Sequence, residues 1–328
     1  MIVTVTLNPS LDRTLEVGHL TRGSLVRAEA ARRDPGGKGV NVSRALAAHG
    51  IKTCAVVPIS GSEGVELARL LALEGIAVSS VPVVGPTRSN VSVVEPDGSV
   101  TKINEPGGVL TEDELDEIVA AVLNVAAGSD WVVVSGSLPP SVPYDFYRRL
   151  CGLLHGGGVR VALDSSGPAL TAALASAPAL VKPNRDELAE LVGFRVDTLA
   201  DAVRAANVMR AAGADTVLAS LGADGAVLVD ESGVRYGDSP VGERRSPVGA
   251  GDAMLAGFIA AMITGRDPLI EALSWGAATV RFPGSRMPGP QDIDRTSVRI
   301  QPEPDLSRQL RGVHHPDLGD RILERPMS

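Results

Sequence analysis

Aromatic side chains are scarce in this chain, at 3% of 328 residues, although hydrophobic residues make up 44%. Ala, Val and Leu must therefore fill the interior, which is the usual material of parallel α/β sheets. Cysteine is nearly absent too: Cys54 and Cys151 stand far apart, with five histidines and no metal-binding spacing. That excludes a disulfide framework or a zinc site, points to a reducing cytoplasm, and gives Cys151 and His49 no catalytic signature. There is no basic tract, and the formal charge is −8, so neither nucleic acid nor a membrane surface is an expected partner. No run approaches the roughly 20 apolar residues that span a bilayer. The start, Met1 to Leu7, alternates like a buried strand and lacks the positive region of a signal peptide. Two nucleotide-binding signatures are also missing. Arg32 stands where a phosphate loop GxxxxGK[ST] needs its first glycine, with Gly39 in place of its Ser/Thr, and Met254 fills the third glycine position of a dinucleotide fingerprint.

What is present is a regular alternation. Apolar, β-branched runs at Ile2–Thr6, Thr53–Pro58, Trp131–Ser135, Arg160–Asp164, Leu180–Lys182, Thr216–Ser220 and Gly225–Val229 predict strands. Between them, Ala/Leu-rich periodic segments predict helices over Lys38–Ala48, Gly64–Glu74, Glu112–Ala126, Tyr144–Leu154, Arg185–Val192 and Ala200–Ala212. Repeated β-α-β units imply a parallel sheet covered on both faces, with ligands at the carboxyl ends of its strands. Two stretches, about 13–34 and 87–105, read instead as short strands and turns with no helix between, Asp97-Gly98 being a hairpin signal. They predict a small separate β layer, a lid whose exposed edges invite pairing with a second copy of the chain. The chain thus divides into one large domain over 1–300 and a Pro-interrupted, charged tail over 301–328, expected to be poorly ordered or draped on the surface.

The most informative segment is Val248-Gly-Ala-Gly-Asp252-Ala-Met-Leu-Ala-Gly-Phe258, a turn of tiny residues running into an apolar helix. The N–H groups of Gly249, Ala250 and Gly251 can converge on an anion at the positive end of that helix. Placing the carboxylate of Asp252 beside an anion hole makes sense if it accepts a hydroxyl proton while the N–H groups hold a migrating phosphoryl charge. Other unusual residues follow predicted strands: Asn8-Pro-Ser-Leu-Asp12, Gly36-Gly37-Lys38-Gly-Val-Asn41, Thr87-Arg88-Ser-Asn90, Lys102-Ile-Asn104, Ser135-Gly-Ser137-Leu-Pro139, Asp164-Ser-Ser-Gly167, Lys182-Pro-Asn184-Arg-Asp-Glu187 and Ser220-Leu-Gly222-Ala-Asp-Gly225. Asp12 suits vicinal hydroxyls, and Arg88 suits a phosphate gripped bidentately. Asn184 and Glu187 share a helix face that suits Mg²⁺ held through water, or equally a capping box.

In this order the motifs resemble the PfkB branch of the ribokinase-like carbohydrate kinases, from Ile2 to about Pro288, most nearly the 1-phosphofructokinases and tagatose-6-phosphate kinases. The resemblance implies a three-layer α/β core with a β-sheet lid. It implies transfer of phosphate from MgATP to a sugar hydroxyl, fructose 1-phosphate becoming fructose 1,6-bisphosphate, with tagatose-6-phosphate kinase or 6-phosphofructokinase as alternatives. A silent sugar-phosphate-binding regulator is the alternative of a different class. The resemblance also makes Asp252 the base and Gly249, Ala250 and Gly251 the anion hole. Asn184, Glu187 and Asp164 would organise Mg²⁺, Lys182 the nucleotide phosphates, and Ser220, Gly222 and Gly225 the nucleotide site. Asp12, Gly37, Asn41 and Arg88, with Lys38, Lys102, Ser137 and Arg27, would hold the sugar phosphate. Pro247 stands where the family usually has Ser or Thr, a change that bears on a monovalent cation such as K⁺.

Overall fold

The computed structural model describes residues 1–301 and 303–311. Its larger sheet begins with β1 (Ile2–Val5), which pairs in parallel with β4 (Thr53–Ile59) and β8 (Trp131–Ser135). The parallel run extends through β5 (Ala77–Pro82) on one side and β9 (Arg160–Asp164), β10 (Leu180–Val181) and β11 (Val217–Ser220) on the other. It closes with antiparallel β12 (Ala226–Asp230), β13 (Gly233–Asp238) and β14 (Arg299–Gln301), giving the order β14-β13-β12-β11-β10-β9-β8-β1-β4-β5.

The strands read as continuous apolar runs because both faces are covered. Val132 and Val134 enter a core with α3 (Glu112–Ala126), α4 (Phe146–Gly156), α5 (Gly167–Leu174), α6 (Arg185–Val192) and α7 (Leu199–Ala211). Trp131 and Val133 point the other way, to a core shared with α1 (Lys38–Ala48), α8 (Ala250–Thr264) and α9 (Pro268–Thr279). A satellite core lies under α1 and α2 (Gly61–Leu73). Helix, sheet and helix make three layers, the α/β architecture that alternation predicted.

The second sheet has the order β3-β2-β6-β7, formed by β2 (Ser10–Glu16), β3 (Ala30–Gly36), β6 (Arg88–Val94) and β7 (Val100–Asn104). Each predicted stretch makes an antiparallel pair, and β2 and β6 join the two pairs in parallel.

Helices α1, α3 and α6 have the predicted bounds. Elsewhere the ends shift: Lys182 and Gly225 lie just outside β10 and β12, and α4 starts at Phe146 rather than Tyr144. Strands β5 and β13 and helices α5 and α9 were not anticipated. For α9 the signal was there, since Pro268 opens it and Asp267 accepts hydrogen bonds from Leu269 and Ile270. The tail differs from expectation as well. Strand β14 adds an edge to the main sheet, and Leu310 is buried in the core; the rest of that expectation, 312–328, lies outside the described residues. Among the described residues no helix is long and apolar enough to cross a membrane.

Asn8, Ser137, Asp164, Lys182 and Ser220 end or follow β1, β8, β9, β10 and β11, which are neighbours in the sheet. The candidate residues therefore gather along one edge, where parallel sheets bind ligands. Helix α8, which delivers Asp252 to that edge, packs tightly on α9: a Cβ on Gly257 would lie 2.7 Å from Glu271 O and 2.9 Å from the Trp275 ring. Backbone cannot yield as a flexible side chain would, so Gly257→Ala should cost about 1–3 kcal/mol. Urea unfolding checks this; an unchanged midpoint would show that the helices can separate freely.

Candidate active site

Gly249 precedes α8 with φ +77°, a left-handed conformation that glycine adopts without strain, and its position is hemmed in by Met287. Pro247 closes the preceding turn, its carbonyl accepting the Ala250 N–H at 3.3 Å. That uses the Ala250 N–H, and the other first-turn N–H groups of α8 have no carbonyl partner within the helix, which suits them to an anion.

Asp252 lies in this first turn, 7% exposed. Asn41 Nδ2, from α1, donates to its Oδ2 at 2.8 Å. Burial first, and then the negative charge of Asp164, push the Asp252 pKa up to about 6, against the Asn41 hydrogen bond and the Lys38 and Lys182 ammonium groups. A carboxylate with that pKa is ionised at neutral pH yet basic enough to accept a proton.

Asp164 ends β9 with a fully buried side chain; Lys38 Nζ is 2.8 Å from its Oδ1 and Lys182 Nζ 3.0 Å from its Oδ2. Burial alone would raise its pKa, but Lys182 and Lys38 hold it below the usual carboxylate value. Lys38 also reaches Glu187 Oε1 at 3.4 Å, and despite burial the two acids keep it protonated well beyond the usual lysine range. On the other flank, a Cβ on Gly251 would sit 3.2 Å from Lys182 Nζ, so this ammonium lies against the α8 turn. Asn184 and Glu187 form the capping box of α6, each side chain accepting the other's N–H at 2.8 Å. Among the described residues no three acidic, His or Cys side chains cluster as a metal cage. Asp164, Asn184 and Glu187 nevertheless supply only hard oxygen donors, which fits an Mg²⁺ that keeps its waters.

A second group gathers on the smaller sheet. Asp12 on β2 accepts from Ser10 Oγ at 2.7 Å and Asn90 Nδ2 at 3.0 Å, and its pKa is raised by burial. Arg88 on β6 stands near it, but its donors go to Asn8 O (3.1 Å) and Glu105 O (2.9 Å). Asn8 Nδ2 in turn donates to Ser137 Oγ at 3.4 Å. The two groups meet at the glycine turn before α1: a Cβ on Gly36 would lie 2.4 Å from Asp12 Cγ, and one on Gly37 2.7 Å from Thr6 Cγ2.

Several expectations change. Lys38 points to Asp164 and Glu187 and is paired with both acids rather than free in the glycine turn. Asn41 is engaged by Asp252. Lys102 and Arg27 are exposed, on β7 and in the loop after β2. Gly225 is buried with φ +88°, where a Cβ would meet Gly237 O at 2.1 Å, so its glycine is required by packing on β13. Ser220 and Gly222 stay at the strand ends, Ser220 N donating to Pro183 O at 2.9 Å. Sequence reasoning missed Arg44, which is 6% exposed and ties Glu74, Pro35 O and Ser285 O together around Asn41. It also missed a cavity of about 400 Å³ lined by Ser239, Arg245, Ser274, Arg281, Asp292 and Ser297. The signal for Arg44 was an arginine one turn after Asn41 on the inner face of α1.

The sequence profile of the pfkB family carbohydrate kinases matches residues 5–281. The chain belongs to this family. It is 40% identical over 286 residues to a 1-phosphofructokinase of Rhodobacter capsulatus, covering 84% of this chain and 90% of that one. It is 33% identical over 322 residues to an ATP-dependent 6-phosphofructokinase isozyme 2 of Mycobacterium tuberculosis, covering 96% and 94%. In three dimensions it is similar to Escherichia coli phosphofructokinase-2 solved in complex with potassium, with TM-score 0.84, 34% identity, and 89% and 96% coverage. As a carbohydrate kinase it is a phosphotransferase with an alcohol acceptor, and the family implies a sugar and ATP as substrates.

The Asn41 donor is one of the influences that keep Asp252 from rising further. In Asn41→Ala the Asp252 carboxyl should titrate above about 6, followed by carboxyl-carbon NMR. An unchanged or lowered titration would show that the hydrogen bond is not made in solution.

Proposed function

We propose that this kinase is an ATP-dependent 1-phosphofructokinase, converting fructose 1-phosphate and ATP to fructose 1,6-bisphosphate and ADP. The observation that carries the chemistry is Asp252: buried, held by Asn41, raised to about 6, and set at the N-terminus of α8 beside two ammonium groups. The proton of the sugar C6 hydroxyl passes to Asp252. The Gly249–Gly251 turn and Lys182 stabilise charge on the migrating phosphoryl group, and Lys38 joins them from the other side of Asp164. A pure sugar-phosphate-binding regulator would have no use for a base so placed.

Asp12, Arg88, Gly37 and Ser137 hold the sugar phosphate, and Lys102 and Arg27 are outer candidates for the same task. Arg88 would have to exchange a backbone carbonyl for phosphate. Ser220 and Gly222 flank the nucleotide, whose nucleoside end has room in the 400 Å³ cavity, since the loop lining it runs directly into the α8 turn. Asn184, Glu187 and Asp164 would hold Mg²⁺ through water, which when bound supplies neutralising charge to the phosphates. A monovalent cation such as K⁺ belongs to the same proposal. So do a single kinase domain lidded by the smaller sheet, a cytoplasmic location, and a homodimer through that sheet, whose edge strand β7 exposes Ile103 at 60%.

The choice of sugar rests on relatives named 1-phosphofructokinase. Geometry at Lys38 does not support it, because that ammonium serves the acids. The second reading, 6-phosphofructokinase, is favoured by the relatives and the solved neighbour of that kind. A panel of fructose 1-phosphate, fructose 6-phosphate and tagatose 6-phosphate decides. Fructose 1-phosphate is expected to have the highest kcat/KM, and a tenfold preference for another overturns the assignment. With Asp252 as base, kcat/KM falls as pH drops through about 6, because the free enzyme must hold this group ionised. Asp252→Asn should lower kcat by roughly 10²–10⁴ with substrate affinities within a few-fold. Retention of more than about a tenth of kcat contradicts the role.

A further inference from the structure

The family match ends at residue 281, yet the chain continues through β14 into a packed segment, 303–311. Its carbonyls serve the first turn of α7, which has no partners of its own for those N–H groups: Leu199 N donates to Arg308 O at 3.0 Å and Ala200 N to Leu306 O at 2.9 Å. Leu310 is 7% exposed within the core, and its N–H donates to Asp197 O at 2.8 Å. Arg311 then makes two short backbone contacts. Its N–H donates to Asp224 Oδ2 at 2.7 Å, and its carbonyl accepts from Arg185 Nη1 at 2.7 Å.

These two contacts reach different elements of the candidate site. Asp224 belongs to the turn Gly222–Asp224 after β11, and Arg185 opens α6 between Asn184 and Glu187. Asp224 is 3% exposed, and its Oδ1 also lies 3.6 Å from Arg308 and 3.5 Å from Arg311. A buried carboxylate stripped of its partners is strongly unfavourable. If the segment leaves, Asp224 loses the Arg311 N–H and both nearby guanidinium groups, and the turn that carries it and Gly222 loses its link through Arg311 to Arg185 at the start of α6.

We propose that Leu306–Arg311 is a strap that positions the Ser220–Gly225 turn against α6 for nucleotide binding. The inference rests on the reading of that turn as a nucleotide-site wall, and its residues act through the turn, as positioning residues. The test uses the full chain with Arg308→Ala, whose side chain is partly exposed so that folding is retained, and Leu310→Ser, which undocks the strap from the core. MgADP affinity by calorimetry should weaken about three- to tenfold in both, while KM for the best sugar phosphate stays within about twofold. Arg308→Lys, which keeps a cation near Asp224, should recover part of the loss. A lowered melting temperature with unchanged MgADP affinity would mean that the segment is structural only and overturn the proposal. Hydrogen exchange separates the two readings. MgADP should protect the Gly222–Gly225 amides of the wild type, and no protection there overturns the nucleotide reading itself. Protection in the wild type with wild-type affinity in both variants removes the strap alone.

Discussion

A carboxylate that water cannot reach organises this molecule's working edge. Asp164 has a wholly buried side chain, and isolated ionised acids are not tolerated in such a place. Lys38 from the start of α1 and Lys182 from the end of β10 compensate it at 2.8 and 3.0 Å. The requirement fixes three elements relative to one another: the glycine turn before α1, the end of β9, and the strand leading to α6. Lys182 is then pressed against Gly251, which has no Cβ to keep the ammonium away from the α8 turn. Removing either lysine would leave a buried acid short of a partner, so the arrangement is all-or-none in character.

The same charges set the state of Asp252. Burial and the neighbouring Asp164 raise it, while Asn41, Lys38 and Lys182 restrain the rise, leaving it near 6. This balance between opposing influences yields a group that is charged at neutral pH without being inert. It also accounts for the shape of the site. Asp164 and Lys182 lie at strand ends of the main sheet with Lys38 and Glu187 on the helices beside them, whereas Asp12 and Arg88 lie on the smaller sheet, joined to the rest through Gly36 and Gly37. The two candidate groups thus sit on different sheets.

Much of the architecture was legible because it is local. The bounds of α1, α3 and α6 follow from a glycine turn, a Thr111 cap and an Asn184 cap, all of which act within one helical turn. Strand β5 was less legible, being half exposed at the edge of its sheet and lacking a clean alternation. Strand β14, three residues long, is held by pairing with β13 rather than by its own pattern. Buried polar partners were invisible for a related reason. Nothing near Arg44 in sequence announces that Glu74, Pro35 and Ser285 surround it.

The sequence by itself determined where chemistry could occur: glycine turns, a helix start with Asp252, and polar residues at the ends of apolar strands, since turn conformation, capping and periodicity depend on neighbours a few residues away. Tertiary structure alone decided what each side chain does. Lys38 could have faced a sugar or an acid, and it faces Asp164, 126 positions along the chain. Asn41 could have met substrate, and it holds Asp252; the tail could have hung free, and Arg311 reaches Asp224. Such pairings are chosen by strand order and register, and by the rule that a buried charge must find its opposite, wherever in the chain that opposite lies.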